Sequence, residues 1–380
     1  MTQPIFILAG EPSGDQIAAK IMSAINSAYG QQDWFGMGGQ KMKDLGLRNE
    51  ADMDQLSIIG FGAAIKAYPN LSRLADRLVD MVIQRKPRAV MTVDAKGFSL
   101  RFARRLKRRM AEVGWTAPII HTVAPTVWAW GAWRARSMAD VVDGLLCLFP
   151  FEPDYFTSHG IDARFIGHPE AFNPALTKIN DSRKPGTGRK NLLLLPGSRT
   201  SEITRILPLF RDASALLNEQ REIEISLVTM PYLAELVKDC LGDKNDISVF
   251  VHEGALYEQL ADADAVMAAS GTVTLQTALA GVPGVTAYRT SNLSAFIGRR
   301  LVNMDKVILP NALLGKTCYP FLFQEEASAN ALADHASNAL DTGYSAAKAN
   351  AASLRDLLCG GAADFDSLVG EAVEPWFARN

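Results

Sequence analysis

The sequence predicts an α/β protein of two Rossmann-like parallel-sheet domains facing a cleft, and three observations carry that expectation. The chain has 380 residues, and at ~150 residues per domain that is length for two domains, each with a core of its own. Short apolar runs alternate with helical patterns along both halves, the rhythm of βαβ units. A polar stretch at 169–190 carries Pro169, Pro174, Pro185, Gly186 and Gly188, a composition that resists both helix and strand and breaks the rhythm near mid-chain.

Taken in order, residues 5–9 read as a buried strand and 15–29 as a helix. Residues 89–94 read as a strand followed by a helix at 100–112, and 119–123 and 145–148 as further short strands. The second half repeats the pattern with strands at 192–195, 223–229, 247–251, 265–268 and 285–287. The expected boundaries are a first domain at 1–170, a linker at 171–190, a second domain at 191–345, and a helical tail at 346–380 that crosses back to the first domain.

Composition narrows the function classes. An apolar fraction of 48% is ordinary for a globular protein, and no uninterrupted apolar run reaches the ~18 residues of a membrane-spanning helix. The N-terminus runs straight into Ile5-Phe6-Ile7-Leu8 without a basic leader, which points to a cytoplasmic protein. Cys147, Cys240, Cys318 and Cys359 form no CxxC pair, and the five histidines include no HxxxH, so neither a zinc site nor a disulfide framework is expected. Residues 1–190 hold 25 Lys and Arg against 18 Asp and Glu, whereas 191–380 hold 14 against 23, so the first half is suited to an anionic partner.

Open parallel sheets bind ligands beyond the C-terminal ends of their strands, so the turns there are the candidate site. The first strand ends in Gly10-Glu11-Pro12-Ser13-Gly14-Asp15, a turn in which Ser13 or Asp15 can cap the next helix while Glu11 and Ser13 offer polar groups to the cleft. Gly36-Met37-Gly38-Gly39 reads as a second glycine turn. In the second half, Leu195-Pro196-Gly197-Ser198-Arg199 sets a guanidinium after a glycine turn, where an anion would rest. Ser270-Gly271-Thr272 leads a strand into a helix whose free N–H groups suit a diphosphate. With Leu309-Pro310-Asn311, these turns suggest a nucleotide-sugar site. Val123-Ala124-Pro125-Thr126-Val127-Trp128-Ala129-Trp130 pairs two indoles, with Arg134 and Arg136 following, as a wall for an amphiphilic anion.

These motifs, together with Phe149-Pro150-Phe151-Glu152, Gly167-His168-Pro169, Tyr288-Arg289 and Gln324-Glu325-Glu326, stand in the order seen in lipid-A-disaccharide synthases, which the chain resembles from about residue 5 to 340. The resemblance implies a glycosyltransferase B-type fold. It further implies an inverting transfer that joins UDP-2,3-diacylglucosamine to 2,3-diacylglucosamine 1-phosphate and releases UDP, with no metal or other cofactor. It assigns Arg199, Ser270, Gly271, Thr272 and Asn311 to the donor, with Gln276 at the ribose, and Glu11, Ser13 and Asp15 to the acceptor side, where the wall of Trp128 and Trp130 is also placed by the reading of the residues.

The chain departs from that family at three acidic positions. Where the family has Asp, a small residue and Pro-Asp-Phe-Asn, this chain reads Asp94-Ala95-Lys96-Gly97-Phe98-Ser99, so Gly97 replaces a catalytic acid and Asp94 is the stand-in base. Lys86-Pro87-Arg88 reverses a charge, and Gln276 stands where a Glu would hold the ribose hydroxyls. General-base catalysis contributes 10²–10⁴ in rate, so three readings stay open. They are an active synthase with a relocated base, a relative that binds UDP-sugar or lipid without this transfer, and another UDP-sugar enzyme such as an epimerase on the same fold.

Lesser signals complete the reading. Apolar residues at 56–83 interleaved with Lys66, Arg73 and Arg77, and the basic run Arg101-Phe102-Ala103-Arg104-Arg105-Leu106-Lys107-Arg108-Arg109, suit an anionic membrane surface. The expected location is therefore cytoplasmic and peripheral, on the inner face of the inner membrane. Nucleic acid is not an expected partner, because aromatic platforms and a recognisable motif are missing, whereas a homodimer is admitted. Asp262-Ala263-Asp264 mimics a metal-binding DxD but precedes a strand, and His168 reads as structural.

Overall fold

The computed structural model describes residues 3–56, 61–125, 133–184, 188–242, 246–252, 254–291 and 307–377. The chain forms two compact units, residues 1–169 with 358–380, and residues 170–357. Each is built on one parallel sheet.

The first unit holds β1 (Ile5–Ala9), β2 (Trp34–Met37), β3 (Arg48–Ala51), β4 (Ala89–Val93), β5 (Ile119–Thr122), β6 (Gly144–Cys147) and β7 (Ala163–Phe165), in the order β3-β2-β1-β4-β5-β6-β7. Every neighbouring pair is parallel. β1, β4 and β6 are wholly buried, with Thr92 of β4 the one polar side chain among them, the signature of a sheet covered on both faces. Phe6 of β1 stacks on Phe102 of the helix Lys96–Glu112 at 5.2 Å and meets Phe35 edge-on at 5.4 Å. Leu74, Leu78 and Val82 of the helix Phe61–Arg85 join them in one core, where each fully buried side chain contributes roughly 1.5–3 kcal/mol.

The final helix, Phe365–Phe377, closes this unit. Tyr29 Oη donates to the Gly370 carbonyl at 2.8 Å, and Arg88 donates to the Phe377 carbonyl at 2.8 Å while its guanidinium lies 4.6 Å over the Phe377 ring. Residues 346–357 of the expected tail belong instead to the second unit, as part of the helix Tyr344–Cys359.

The second unit holds β8 (Lys190–Leu195), β9 (Ile223–Val228), β10 (Ile247–Phe250), β11 (Ala265–Ala269), β12 (Gly284–Tyr288) and β13 (Phe321–Phe323), in the order β10-β9-β8-β11-β12-β13, again all parallel. Leu192, Leu194, Ile203, Phe210, Leu227 and Met267 anchor its core.

Several expectations need correction. The stretch expected as a linker contains the helix Pro174–Ser182, since Pro174 suits the first helical turn and the Asn173 side chain caps it by accepting from Ala175 N at 3.0 Å. Gly36-Met37 lies in β2 rather than in a turn, and Gly36 is needed there because a Cβ would fall 1.9 Å from the Ile7 carbonyl oxygen. The strands expected to end at 94 and 123 stop one residue earlier, where Asp94 and Val123 turn to φ of +52° and +71°.

Candidate functional site

In each sheet the strand order reverses once, between β1 and β4 and between β8 and β11. Within each unit the two loops leaving those strands flank that sheet's own switch point, where parallel sheets hold ligands.

In the first unit this crevice lies between Gly10 and Asp94. A Cβ on Gly10 would sit 2.6 Å from Ala95 Cβ, so glycine is what lets the β1 loop pass so close to the β4 loop. Asp94, Ala95 and Val123 all hold left-handed backbones, and strained non-glycine residues of this kind cluster where a surrounding structure fixes a functional turn. Asp94 is fixed on both sides: its N–H donates to the Thr122 carbonyl at 3.1 Å, and its carbonyl accepts from Ser99 Oγ at 2.8 Å. Its half-buried carboxylate makes no hydrogen bond to any described residue. Gly97 is the second residue of the helix Lys96–Glu112, exposed, and apart from its chain neighbours and its own helix backbone nothing lies within 4 Å of where its Cβ would be.

Of the residues assigned to the acceptor side, Glu11 and Ser13 are exposed at the start of the helix Pro12–Tyr29. Neither Ser13 nor Asp15 caps that helix, whose first residue is Pro12 and whose N-cap is Glu11. Asp15 is buried and serves another element. Its carboxylate accepts from the N–H groups of Gly39, Lys41 and Met42 at 2.8, 3.1 and 3.2 Å, capping the helix Gln40–Asp44 and holding the glycine turn before it. Trp128 and Trp130 lie outside the described residues.

In the second unit, β8 ends in Pro196-Gly197-Ser198-Arg199 and the helix Thr200–Gln220 follows. Buried Glu202 accepts from Ser198 N at 3.0 Å and Arg199 N at 3.2 Å, and its other oxygen takes the Arg199 guanidinium at 3.2 Å. The Arg199 side chain remains 70% exposed, so it is oriented by Glu202 and still open to an anion. Tyr232, which no sequence motif marks, donates to the Ser198 carbonyl at 2.6 Å and steadies the same turn. β11 leads through Ser270, Gly271 and Thr272 into the helix Val273–Leu279, with Gly271 and Thr272 exposed at its start.

Gln276 is half-buried on the next turn of that helix, and Tyr257 accepts from Asn173 Nδ2 at 3.1 Å and donates to Glu170 at 3.5 Å. Burial, and then the charge of Glu170, push the Tyr257 hydroxyl up, so it keeps its proton. Asn311 is already committed: its Nδ2 donates to the Tyr319 carbonyl at 2.8 Å, and its Oδ1 accepts from Cys318 N at 2.8 Å and Tyr319 N at 2.9 Å. At the ends of β12 and β13, Gln324 pairs both its amide atoms with the Thr290 backbone at 2.7 and 3.2 Å, while Arg289 donates to the carbonyls of Gln324 and Ala327. Those two residues stood in the quoted motifs without a role, and the structure makes them a brace between neighbouring strand ends.

The remaining sequence signals resolve into structure. Asp264 of the DxD accepts from Asn191 N at 3.0 Å and pairs with Lys190 at 3.3 Å, tying β11 to β8. His168 is buried against Phe149, its ring 5.8 Å away, and burial holds its pKa down at about 4, so it is neutral near pH 7. In the basic run, Arg105 pairs with Asp76 at 3.4 Å, Lys107 with Asp143 at 3.3 Å and Arg109 with Glu112. The apolar side chains of Leu74, Leu78 and Val82 in the other candidate membrane segment are core. No described helix is long and apolar enough to cross a membrane.

A family model described as lipid-A-disaccharide synthetase matches residues 5–361. The lipid-A-disaccharide synthase of Rhodospirillum centenum is 36% identical over 336 residues, 87% of this chain and 83% of that one. The enzyme of the same name from Pseudomonas paraeruginosa is 33% identical over 345 residues, covering 89% and 90%. Among solved structures, the calicheamicin glycosyltransferase CalG4 superposes with a TM-score of 0.62 at 12% identity, covering 100% of this chain and 99% of that one. The UDP-GlcNAc 2-epimerase of Neisseria meningitidis superposes with a TM-score of 0.61 at 9% identity, covering 99% and 100%, so both share the fold alone. With its family model spanning nearly the whole chain, full-length relatives above 30% identity, and two parallel-sheet units of the glycosyltransferase B type, the chain belongs to the lipid-A-disaccharide synthase family, the hexosyltransferases that form the lipid A disaccharide.

Proposed function

We propose that this chain condenses UDP-2,3-diacylglucosamine with 2,3-diacylglucosamine 1-phosphate, and that Asp94 is the general base. The observation that carries the reading is the strained, doubly anchored turn at the β4 end, which holds a carboxylate without a described partner at the switch point of the first sheet. Asp94 takes the proton of the acceptor hydroxyl. The hydroxyl oxygen forms a bond to the donor anomeric carbon as the bond from that carbon to the diphosphate oxygen breaks, and UDP leaves with the electron pair and inversion at carbon.

The donor side is assigned to the second unit. Arg199 and the N–H groups at 270–272 meet the diphosphate, where they oppose the charge that grows on the leaving group. Gln276 meets the ribose. Asn311 acts at one remove, by holding the 318–319 backbone against the helix Leu309–Leu314. On the acceptor side, Glu11 and Ser13 contact the sugar, Asp15 fixes the turn at 38–39, and Trp128 with Trp130 flank the acyl chains.

The test is UDP release from both acylated substrates in detergent, with Asp94→Ala alongside. Turnover that drops by 10²–10⁴ in the variant supports Asp94 as base, while equal turnover overturns it. The open surroundings of Gly97 favour a second reading, in which the missing acid leaves a UDP-sugar or lipid binder. Natural protein that binds UDP but turns over only as Gly97→Asp would establish that second reading.

The substrates also place the chain at an anionic lipid surface, on the inner face of the inner membrane. Support comes from the basic helix Lys96–Glu112, on which Arg104 and Arg108 have no ion-pair partner among the described residues. Protein that stays in the supernatant with phosphatidylglycerol vesicles at low salt would refute this placement.

A further inference from the structure

Among the large apolar side chains exposed in the described residues, Met230, Tyr232, Val249 and Val251 gather at one side of the second sheet, on β10 or in the segments that leave β9 and β10. The Thr229 N–H donates to the Phe250 carbonyl at 3.1 Å, which carries the pairing of these strands one residue past β9, so the two segments leave the sheet together. β9 lies next to β8, whose loop carries Arg199.

Tyr232 is 70% exposed, yet it is held at both ends. Its backbone is the middle of a single helical turn, Pro231–Leu233, which Pro231 opens with a fixed φ and which closes where the Leu233 N–H donates to the Met230 carbonyl at 2.9 Å. Leu233 is buried in the core and anchors the turn from below. At the far end of the ring, Tyr232 Oη donates to the Ser198 carbonyl at 2.6 Å. That carbonyl shares a peptide unit with the Arg199 N–H, which Glu202 accepts at 3.2 Å, so ring and guanidinium are tied through one peptide. An exposed side chain fixed in this way has already lost its rotamer freedom, and a flat ligand can stack on it without ordering it first. Across the switch point, the ends of β12 and β13 carry the polar brace of Arg289 and Gln324, with no large exposed apolar side chain among the described residues.

We infer that the Tyr232 ring is the platform on which the base of the donor nucleotide stacks, with Met230 and Val251 extending it over the ends of β9 and β10. This inference rests on the assignment of Arg199 to the donor diphosphate. Neighbouring strands lie about 4.8 Å apart, so a base over β9 and β10 is about 5–10 Å from the β8 loop, the reach of a nucleoside from its phosphate. The hydroxyl fixes the ring and the ring contributes the affinity, since any planar base offers it a π-face.

The experiment is titration calorimetry on the full chain with UDP and with 5,6-dihydro-UDP, whose saturated base is not planar. The natural protein should prefer UDP by about fivefold or more, and Tyr232→Ala should weaken UDP by about fivefold to a hundredfold and abolish that preference. Tyr232→Phe keeps the ring and loses only the bond to Ser198, so it should cost about threefold and retain the preference. Far-UV circular dichroism should be unchanged in both, because the side chain is exposed. Equal losses in Tyr232→Phe and Tyr232→Ala would reduce the tyrosine to a brace for the Ser198 turn and overturn the inference, as would equal affinity of the natural protein for the two ligands. UDP affinity unchanged in Arg199→Ala refutes the diphosphate assignment itself. Affinity lost in Arg199→Ala but intact in Tyr232→Ala refutes the stacking role alone.

Discussion

Replacing Asp15 separates a contact with substrate from a contact with the backbone. The resemblance puts this residue on the acceptor side, whereas its carboxylate is buried and satisfied by three backbone N–H groups at 2.8, 3.1 and 3.2 Å. Asn at this position keeps Oδ1 for Gly39 and Met42 but presents an NH₂ group to Lys41 N, losing one charge-assisted bond and opposing two donors. Hydrogen bonds to charged groups contribute ~1.5–3 kcal/mol, so Asp15→Asn should cost about 2 kcal/mol. Asp15→Ala orphans all three donors in a five-residue helix with no other side-chain cap, and should cost about 4 kcal/mol. Urea unfolding followed through tryptophan fluorescence reads this, since Trp34 on β2 is buried in the same unit. Both variants should bind acceptor with near-normal KM as long as they are folded. A KM raised tenfold with an unchanged urea midpoint would refute the structural role and return Asp15 to the acceptor.

Three further outcomes are expected. His168 titrates at about 4 when folded against 6.5 when exposed, so the unfolded chain binds more protons in that window. Stability should therefore fall as pH drops from 6.5 to 4, by about 3 kcal/mol in total, and His168→Gln should flatten that slope by one proton in acid-urea titrations. Gly197→Ala forces a side chain onto φ of +111° and places Cβ 2.4 Å from Glu202 Oε2, so it should cost roughly 2–3 kcal/mol and weaken UDP binding by disturbing Ser198 and Arg199. Gly97→Asp fills open space in the first turn of a helix and should raise stability by about 1 kcal/mol, and a lowered melting temperature would show that the position is not open.

Much of the fold was legible because its signals are local. Strands such as Ile5–Ala9 and Ala265–Ala269 are unbroken apolar runs, and the turns after them are marked by glycine and by helix-starting residues. β3 (Arg48–Ala51) and β7 (Ala163–Phe165) were not legible, being short and partly polar, with their existence owed to the neighbours they pair with. The site divides the same way. Arg199 and Ser270 stand in contiguous motifs, whereas Tyr232, which steadies the turn at Ser198 from 34 positions away, is a single residue that no spacing connects to it.

Sequence alone determined the two-sheet architecture, the family and the loops at the strand ends proposed as the site, because periodicity and turn chemistry act over a few residues. Tertiary structure decided what each polar group in those loops is free to do. Asp15 and Asn311 are consumed by backbone groups 24 and 8 positions away, and Asp94 is held in a strained turn with its carboxylate unclaimed by any described residue. The physical reason is that a hydrogen-bonding group has a fixed number of partners, and which ones it takes depends on what the folded chain brings within about 3 Å.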